Sequence, residues 1–522
     1  MKTKNLLLTA MASIVFITGA NAQNVNIPDA NFKAALVANA SINTNMDTEI
    51  QVIEASVFNG AINVSQLNIT DLTGIEEFVA LDYLDCRGNY ISGLDVSANI
   101  ALTYLDCSGN YLGFDGGNDY VYYLDTLDVS ANIAITILKC NNNGLLSLNT
   151  TGLTALTYID CSFNSRLYIA ESPKAATVLY HSSSPLLNFS SNTALTYLNC
   201  SSNALSSLDV SENTALTYLD CSNYNWSEDG IMVEDGVTLS SLNLSANTEL
   251  TYLNCIGNVL SSLDVSTCTA LTFLDCSYNQ LTSLDVSANT ELTYLNCIGN
   301  VLSSLDVSTC TALTFLDCSY NQLTSLDVSA CTALTTLNCS GSQFANQLTS
   351  LNLSANTALT YLNCTGNVLS SLDVSTCTAL TYLNCAGNQL TSLDVKNGNN
   401  INMVTFSAFV NPNLSCIEVD DVAWSNSNWA NNINATASFS LNCSGAGISD
   451  INESTEPMFY PNPTSDIIYL SEPANITLTD LSGNLLLEEK NTNQLDISAL
   501  PAGMYFLNIG ENNQQTFKVI KE

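Results

Sequence analysis

Nineteen cysteines, one histidine and a large excess of carboxylates are the side chains of this 522-residue chain that could do chemistry. Thirteen cysteines close a recurring Leu-x-x-Leu-x-Cys motif, with Ile sometimes replacing Leu. They stand at 86, 107, 140, 161, 200, 221, 255, 276, 297, 318, 339, 364 and 385, most often 21 residues apart. Such a period returns each thiol to the same inward place, where cysteine acts as a small hydrophobe. In a parallel register neighbouring side chains run side by side, a poor approach for bridging, so reduced thiols are expected. A second column holds Cys268, Cys310, Cys331 and Cys377. No Cys-x-x-Cys supplies zinc spacing, and His181, 19 residues before Cys200, reads as a substituted rung rather than a general base. Cys416 and Cys443 lie beyond the last motif, beside Trp424 and Trp429. A disulfide is predicted between them, worth about 3 kcal/mol.

Oxygen donors cluster once. Asn43, Asn45, Asp47 and Glu54 occupy places one, three, five and twelve of segment 43–54, with Ile50 at the apolar place. This resembles a calcium-binding EF-hand loop. Thr48 stands where the sharp turn needs Gly, and Asn43 where the first Asp belongs, so we read a decayed loop. Calcium is the only cofactor suggested anywhere in the chain.

Two further columns flank the second Leu of the motif. The residue before it is nearly always aromatic: Tyr83, Tyr104, Tyr158, Tyr197, Tyr218, Tyr252, Phe273, Tyr294, Phe315, Tyr361 and Tyr382. The residue after it is usually a short carboxylate or amide, as at Asp85, Asp220, Asn254, Asp275, Asn296 and Asp317. Strand alternation turns both outward. One reading is a self-bonding ladder of rings and amides. The other is an extended aromatic–polar groove for a glycan or a protein strand, because Tyr gives large contact area at low entropy cost. On that second reading Tyr218, Tyr252, Phe273, Tyr294, Phe315, Asp220, Asp275 and Asp317 are candidate ligand contacts. Extra residues at 113–120, 226–235 and 343–346 interrupt three units at a similar place. Phe114, Tyr120, Trp226 and Asp229 there are candidate specificity residues; tolerated insertions are the alternative.

The elements that position these columns follow from the full unit, shown by residues 250–266. Leu250, Leu253, Cys255 and Leu260 should point inward, Asn258 should bond the turn backbone, and Leu263-Asp264-Val265-Ser266 completes the coil. The pattern resembles the leucine-rich repeat, and within it the bacterial internalin-like surface proteins with a cysteine ladder. That resemblance implies a mainly β repeat solenoid with a parallel concave sheet. A 21-residue coil leaves too few residues for a convex helix, so short strands or irregular structure are expected opposite. Residues 245–288 and 287–330 are identical. Duplicated rungs keep a solenoid folded but hardly build a catalytic centre of unique side chains.

Around the solenoid (80–398) the chain divides further. Residues 1–22 read as a signal peptide, with Lys2 and Lys4, an apolar run, and Ala20-Asn21-Ala22. Residues 23–79 form a small helical N-terminal cap, with Asp29–Ala40 helical in pattern. Residues 399–445 form a C-terminal cap, 446–456 a linker, and 457–522 an antiparallel β-sandwich. Tyr460-Pro461-Asn462-Pro463-Thr464-Ser465-Asp466, Gly503-Met504-Tyr505 and Phe517-Lys518-Val519-Ile520-Lys521 resemble the C-terminal sorting domain of the Bacteroidota type IX secretion system. The resemblance implies outer-membrane passage and contact with the secretion machinery, hence a secreted or surface protein. Net charge −37, from 48 acidic against 11 basic residues, argues against nucleic acid. No stretch reaches the roughly 20 apolar residues of a membrane span in the mature chain. A surface binding or adhesion protein with an extracellular protein or glycan partner is expected. A structural spacer of surface layer or biofilm is the alternative, and a glycan-active or proteolytic enzyme ranks last.

Overall fold

The computed structural model describes residues 23–112, 121–122, 124–164, 187–223, 238–342, 344–443, 459–460, 464–481, 483–509 and 515–522. The signal segment, the linker, His181 and the insertion candidates Phe114, Tyr120, Trp226 and Asp229 lie outside them. Two compact units emerge, Met1–Gly445 and Ala446–Glu522.

In the first unit each Leu-x-x-Leu-x-Cys motif contributes one three-residue strand, and all pair in parallel in one fifteen-stranded sheet. Thirteen are the motif strands, Tyr83–Asp85 to Tyr382–Asn384. Ala61–Asn63 extends the sheet at one end and Thr405–Ser407 at the other. Register is residue for residue, as in Tyr252 on Phe273, Leu253 on Leu274 and Asn254 on Asp275. It has to be, because a one-residue slip would turn each buried Leu to solvent. Tyr197 pairs directly with Tyr158. No other strand of the sheet therefore stands between the Cys161 and Cys200 rungs.

Leu250, Leu253, Cys255 and Leu260 are fully buried, as the period requires. Opposite the main sheet, Ser371–Asp373, Ser392–Asp394, Cys416–Glu418 and Ser438–Ser440 form a four-stranded parallel sheet, and Thr126–Asp128 pairs with Ser147–Asn149. Most other copies of that stretch have no regular secondary structure. Two buried polar columns hold the coils together. Asn258 donates to Cys221 O (3.1 Å) and Cys255 O (3.0 Å) and accepts from Leu239 N (3.0 Å). Asn213 likewise donates to Phe189 O and Asn192 O, both at 2.9 Å. Its column includes Asn247, Asn289 and Asn356, whose Oδ1 atoms are buried without a hydrogen-bond partner. The second set of cysteines takes turns with these asparagines: Cys331 Sγ donates to Val307 O at 3.5 Å. A thiol there is a weaker donor, but it leaves no oxygen stranded.

The N-terminal cap carries α1 (Ala30–Val37) and α2 (Val52–Val57). Asp29 caps α1 by accepting from Asn31 N and Phe32 N. Phe32, Leu36, Ile50 and Phe78 bury against the first rungs. At the far end, α3 (Val422–Trp429) sets Trp429 on Phe406 with centroids 4.3 Å apart, covering the last strand of the main sheet. Cys416 and Cys443 form a disulfide, Cα atoms 5.8 Å apart.

The second unit is one antiparallel five-strand set: Phe459–Tyr460, Ile467–Thr479, Leu485–Asp496, Gly503–Ile509 and Gln515–Lys521. Register shifts in Ile467–Thr479 let its two halves take different partners on one edge, Phe459–Tyr460 and then Gly503–Ile509. Ile468, Leu478, Ile497, Leu507 and Val519 form the core. Tyr505 Oη donates to Pro501 O at 2.6 Å, tying the strand start to its turn.

Candidate functional site

On the outer face of the main sheet the aromatic column is a stack. From Tyr158 through Tyr197, Tyr218, Tyr252, Phe273 and Tyr294 to Phe315, seven rings lie 4.1–4.3 Å apart, within 11° of parallel. That is closer than the roughly 4.8 Å between paired strands, as side chains on the inner side of a curved sheet must be. Each ring is half-buried by its neighbours. Burial raises the phenol pKa of Tyr294 to about 12, so the hydroxyls stay protonated. Where Ile137 interrupts the column, Lys139 Nζ sits 5.7 Å from the Tyr104 ring and 5.8 Å from Tyr158, a cation bridging the gap.

The polar column behaves differently from the outward, solvated row expected. Asp220 and Asp275 are only 8% and 9% exposed. Each carboxylate folds down onto the serine two residues on: Asp220 Oδ1 accepts from Ser222 N (3.0 Å) and Oγ (2.6 Å), and Asp275 and Asp317 repeat this with Ser277 and Ser319. The column also alternates. Asp160, Asn199, Asp220, Asn254, Asp275, Asn296, Asp317 and Asn338 lie on successive rungs. Amides thus separate like charges, and Asn254, Asn296 and Asn338 donate to the Asp on the preceding rung at 3.2, 2.9 and 2.8 Å. Burial pushes the Asp220 and Asp275 carboxyls up, and the serine bonds pull them back in part. Asp85 and Asp106 are neighbours without an intervening amide; there Arg87 lies 3.7 and 3.6 Å from them.

Beside the rings runs a threonine column absent from the sequence reading. Thr293 Oγ1 donates to Thr272 O (3.1 Å) and Thr314 Oγ1 to Thr293 O (2.9 Å), leaving the threonines at the surface. A second missed feature is the turn two residues after most ladder Cys. Its backbone is left-handed: Gly88, Gly109, Gly257, Gly299, Gly366 and Gly387 have φ of 65–72°. Phe163, Tyr278 and Tyr320 hold the same conformation, with φ of 51–54°. For a bulky L-residue that costs about 1–2 kcal/mol. The signal was in the sequence, as aromatics at a place where most copies carry Gly.

The four expected calcium ligands close their own loop. Glu54 Oε1 accepts from Thr44 N and Oγ1, both 2.8 Å, and Oε2 from Gln51 N, 3.1 Å. Asp47 accepts from Glu49 N, Asn45 Nδ2 and Gln51 Nε2, while Asn43 Nδ2 donates to Val37 O and Asp47 O. Burial tends to raise the Glu54 carboxyl, but the Gln51, Thr44 and Asn45 donors hold it below the ordinary value. Protein donors thus engage the Glu54 and Asp47 oxygens, while Asn43 Oδ1 is buried without a hydrogen-bond partner. Among the described residues no group of three or more His, Cys, Asp or Glu could hold a metal ion. The ladder cysteines are buried free thiols, and burial pushes them up, Cys385 to about 12. Such thiols are poor nucleophiles.

Residues 458–522 match the family described as the secretion system C-terminal sorting domain, and residues 311–355 match leucine rich repeats, two copies. The chain is similar to the functional domain of InlJ from Listeria monocytogenes, which includes a cysteine ladder. Identity is 28%, coverage 96% of this chain and 98% of that one, and the TM-score 0.63. This is a cysteine-ladder leucine-rich-repeat protein with a secretion sorting domain. The internalin InlF of Listeria monocytogenes is similar at 19% identity, covering 73% of this chain and 95% of its own, with TM-score 0.48. A leucine-rich-repeat protein of Leptospira interrogans is similar at 18%, 74% and 97%, with TM-score 0.49. A comparison with curated proteins finds none that matches. The sorting domain sends this leucine-rich-repeat protein out of the cell, to be released or held on the surface. Among the described residues no helix is long and apolar enough to cross a membrane.

Proposed function

We propose that the exported solenoid is a binding or adhesion protein that engages an extracellular protein or glycan, and that it is not an enzyme. The carrying observation is the sheet face itself: seven stacked rings, Tyr158 to Phe315, bordered by surface threonines. Ring edges and hydroxyls of Tyr218, Tyr252 and Tyr294, with Phe273 and Phe315, offer contact area already held rigid, so little entropy is lost on binding. Asp220, Asp275 and Asp317 serve that face by fixing its spacing, since their oxygens are engaged by serine and asparagine. Phe114, Tyr120, Trp226 and Asp229 are proposed to add specificity from the insertions. Two identical 44-residue blocks fit repeated contacts better than a unique reaction centre. The test is adhesion: cells displaying the protein should attach to wells coated with matrix proteins or glycans more than cells lacking it. Equal attachment on every coating would favour a spacer instead.

A further inference from the structure

The left-handed turn after most ladder Cys holds three aromatics, Phe163, Tyr278 and Tyr320, exposed or half-buried. Tyr320 is 56% exposed and Phe163 47%, both in a backbone conformation that glycine adopts freely and a bulky residue resists. Strain of this kind persists where the side chain is wanted. The spacing is regular. Along the sheet the turn residues run Gly257, Tyr278, Gly299, Tyr320, so the tyrosines recur every second rung, roughly 9.6 Å apart. Phe163 precedes Tyr278 by four rungs, in phase with the same step. The intervening glycine is required by its neighbour as well as by its φ of 68°. A Cβ on Gly299 would lie 2.9 Å from Cδ1 of Tyr278, because that ring lies across the Gly299 turn. The exact sequence duplication generates this pair, since Tyr278 and Tyr320 are the same residue of the two identical blocks.

We propose that this turn edge binds an extended neutral polysaccharide of β-1,4-linked pyranoses, one sugar face on each tyrosine. The inference rests on the binding reading above and names its ligand class. In a β-1,4 chain successive sugars flip, so every second ring presents the same apolar face, at a repeat close to two rungs. Aromatic residues take such faces as broad contact surfaces. Neutrality follows from charge: a protein of net −37 repels polyanionic glycans. Duplication then has a physical use, because two linked weak contacts bind far better than one.

Affinity gel electrophoresis of the exported chain in soluble hydroxyethyl cellulose tests this, with soluble starch as the α-linked control. Retardation by the β-linked polymer and little by starch is expected. Tyr278→Gly with Tyr320→Gly should weaken it about tenfold or more, with the thermal midpoint retained because Gly suits the turn. Should that pair fail to fold, Tyr278→Asn with Tyr320→Asn replaces it, since Asn142 already fills the same turn. Equal retardation of the double variant, or none of the native chain, overturns the proposal. Binding to a matrix protein but to no neutral glycan sinks this inference and leaves the binding reading standing; binding to neither sinks both.

Discussion

Single residues here act through repetition, and buried amides do more than the thiols that mark the ladder. Asn258 satisfies three backbone groups on two adjacent coils. Removing it strands them without water. Asn258→Ala should lower stability by about 3 kcal/mol or more, read as a lower urea midpoint at unchanged m; a loss under 1 kcal/mol (about one exposed bond) would contradict this. The carboxylates make a pH prediction. Burial raises Asp275 above its ordinary 3.8 despite the Ser277 bonds. The folded state therefore holds that proton more tightly than the unfolded chain, which favours folding at low pH. This contribution is lost as pH rises through the folded pKa. Asp275→Asn keeps an oxygen for Ser277 and removes the titration. Its stability should fall less than the native protein's between about pH 4 and about pH 7. An equal or larger fall in urea titrations would refute the burial argument.

At the scale of elements, the rungs were legible because one Leu and one Cys recur at a fixed step, and a parallel sheet in register is the arrangement that buries both. The columns were legible as columns but not as an environment. Nothing in the spelling Asp-Cys-Ser says that the carboxylate folds onto the serine and leaves solvent, as Asp275 does on Ser277. The EF-hand-like spacing is equally silent: it places oxygens but does not say that Glu54 turns to Thr44 and Gln51. The caps rest on aromatics rather than period. Trp429 covers Phe406, with Trp424 edge-on at 5.1 Å. Trp429→Ala should cost about 3–5 kcal/mol. Hydrogen exchange should show the loss first in strands Tyr382–Asn384 and Thr405–Ser407. Uniform loosening along the whole sheet would mean that the cap does not seal the end.

For the whole molecule, the solenoid is a stack of nearest-neighbour interfaces, and its length is adjustable. Deleting residues 287–328 removes one identical block and rejoins the same residue types in register. The shortened chain should fold cooperatively, with unchanged protection of its remaining buried thiols against alkylation. Reactive ladder cysteines in that variant would show that the repeats are not interchangeable. The sorting domain sets where the protein works, and in the proposed function the solenoid sets what it meets there. The most direct test of that division is an array of glycans and matrix proteins probed with the purified exported chain. Saturable retention of at least one ligand, weakened by changes on the ring or turn columns, is the predicted result. Retention of none, from a chain shown to be folded, would contradict a binding role and leave a spacer.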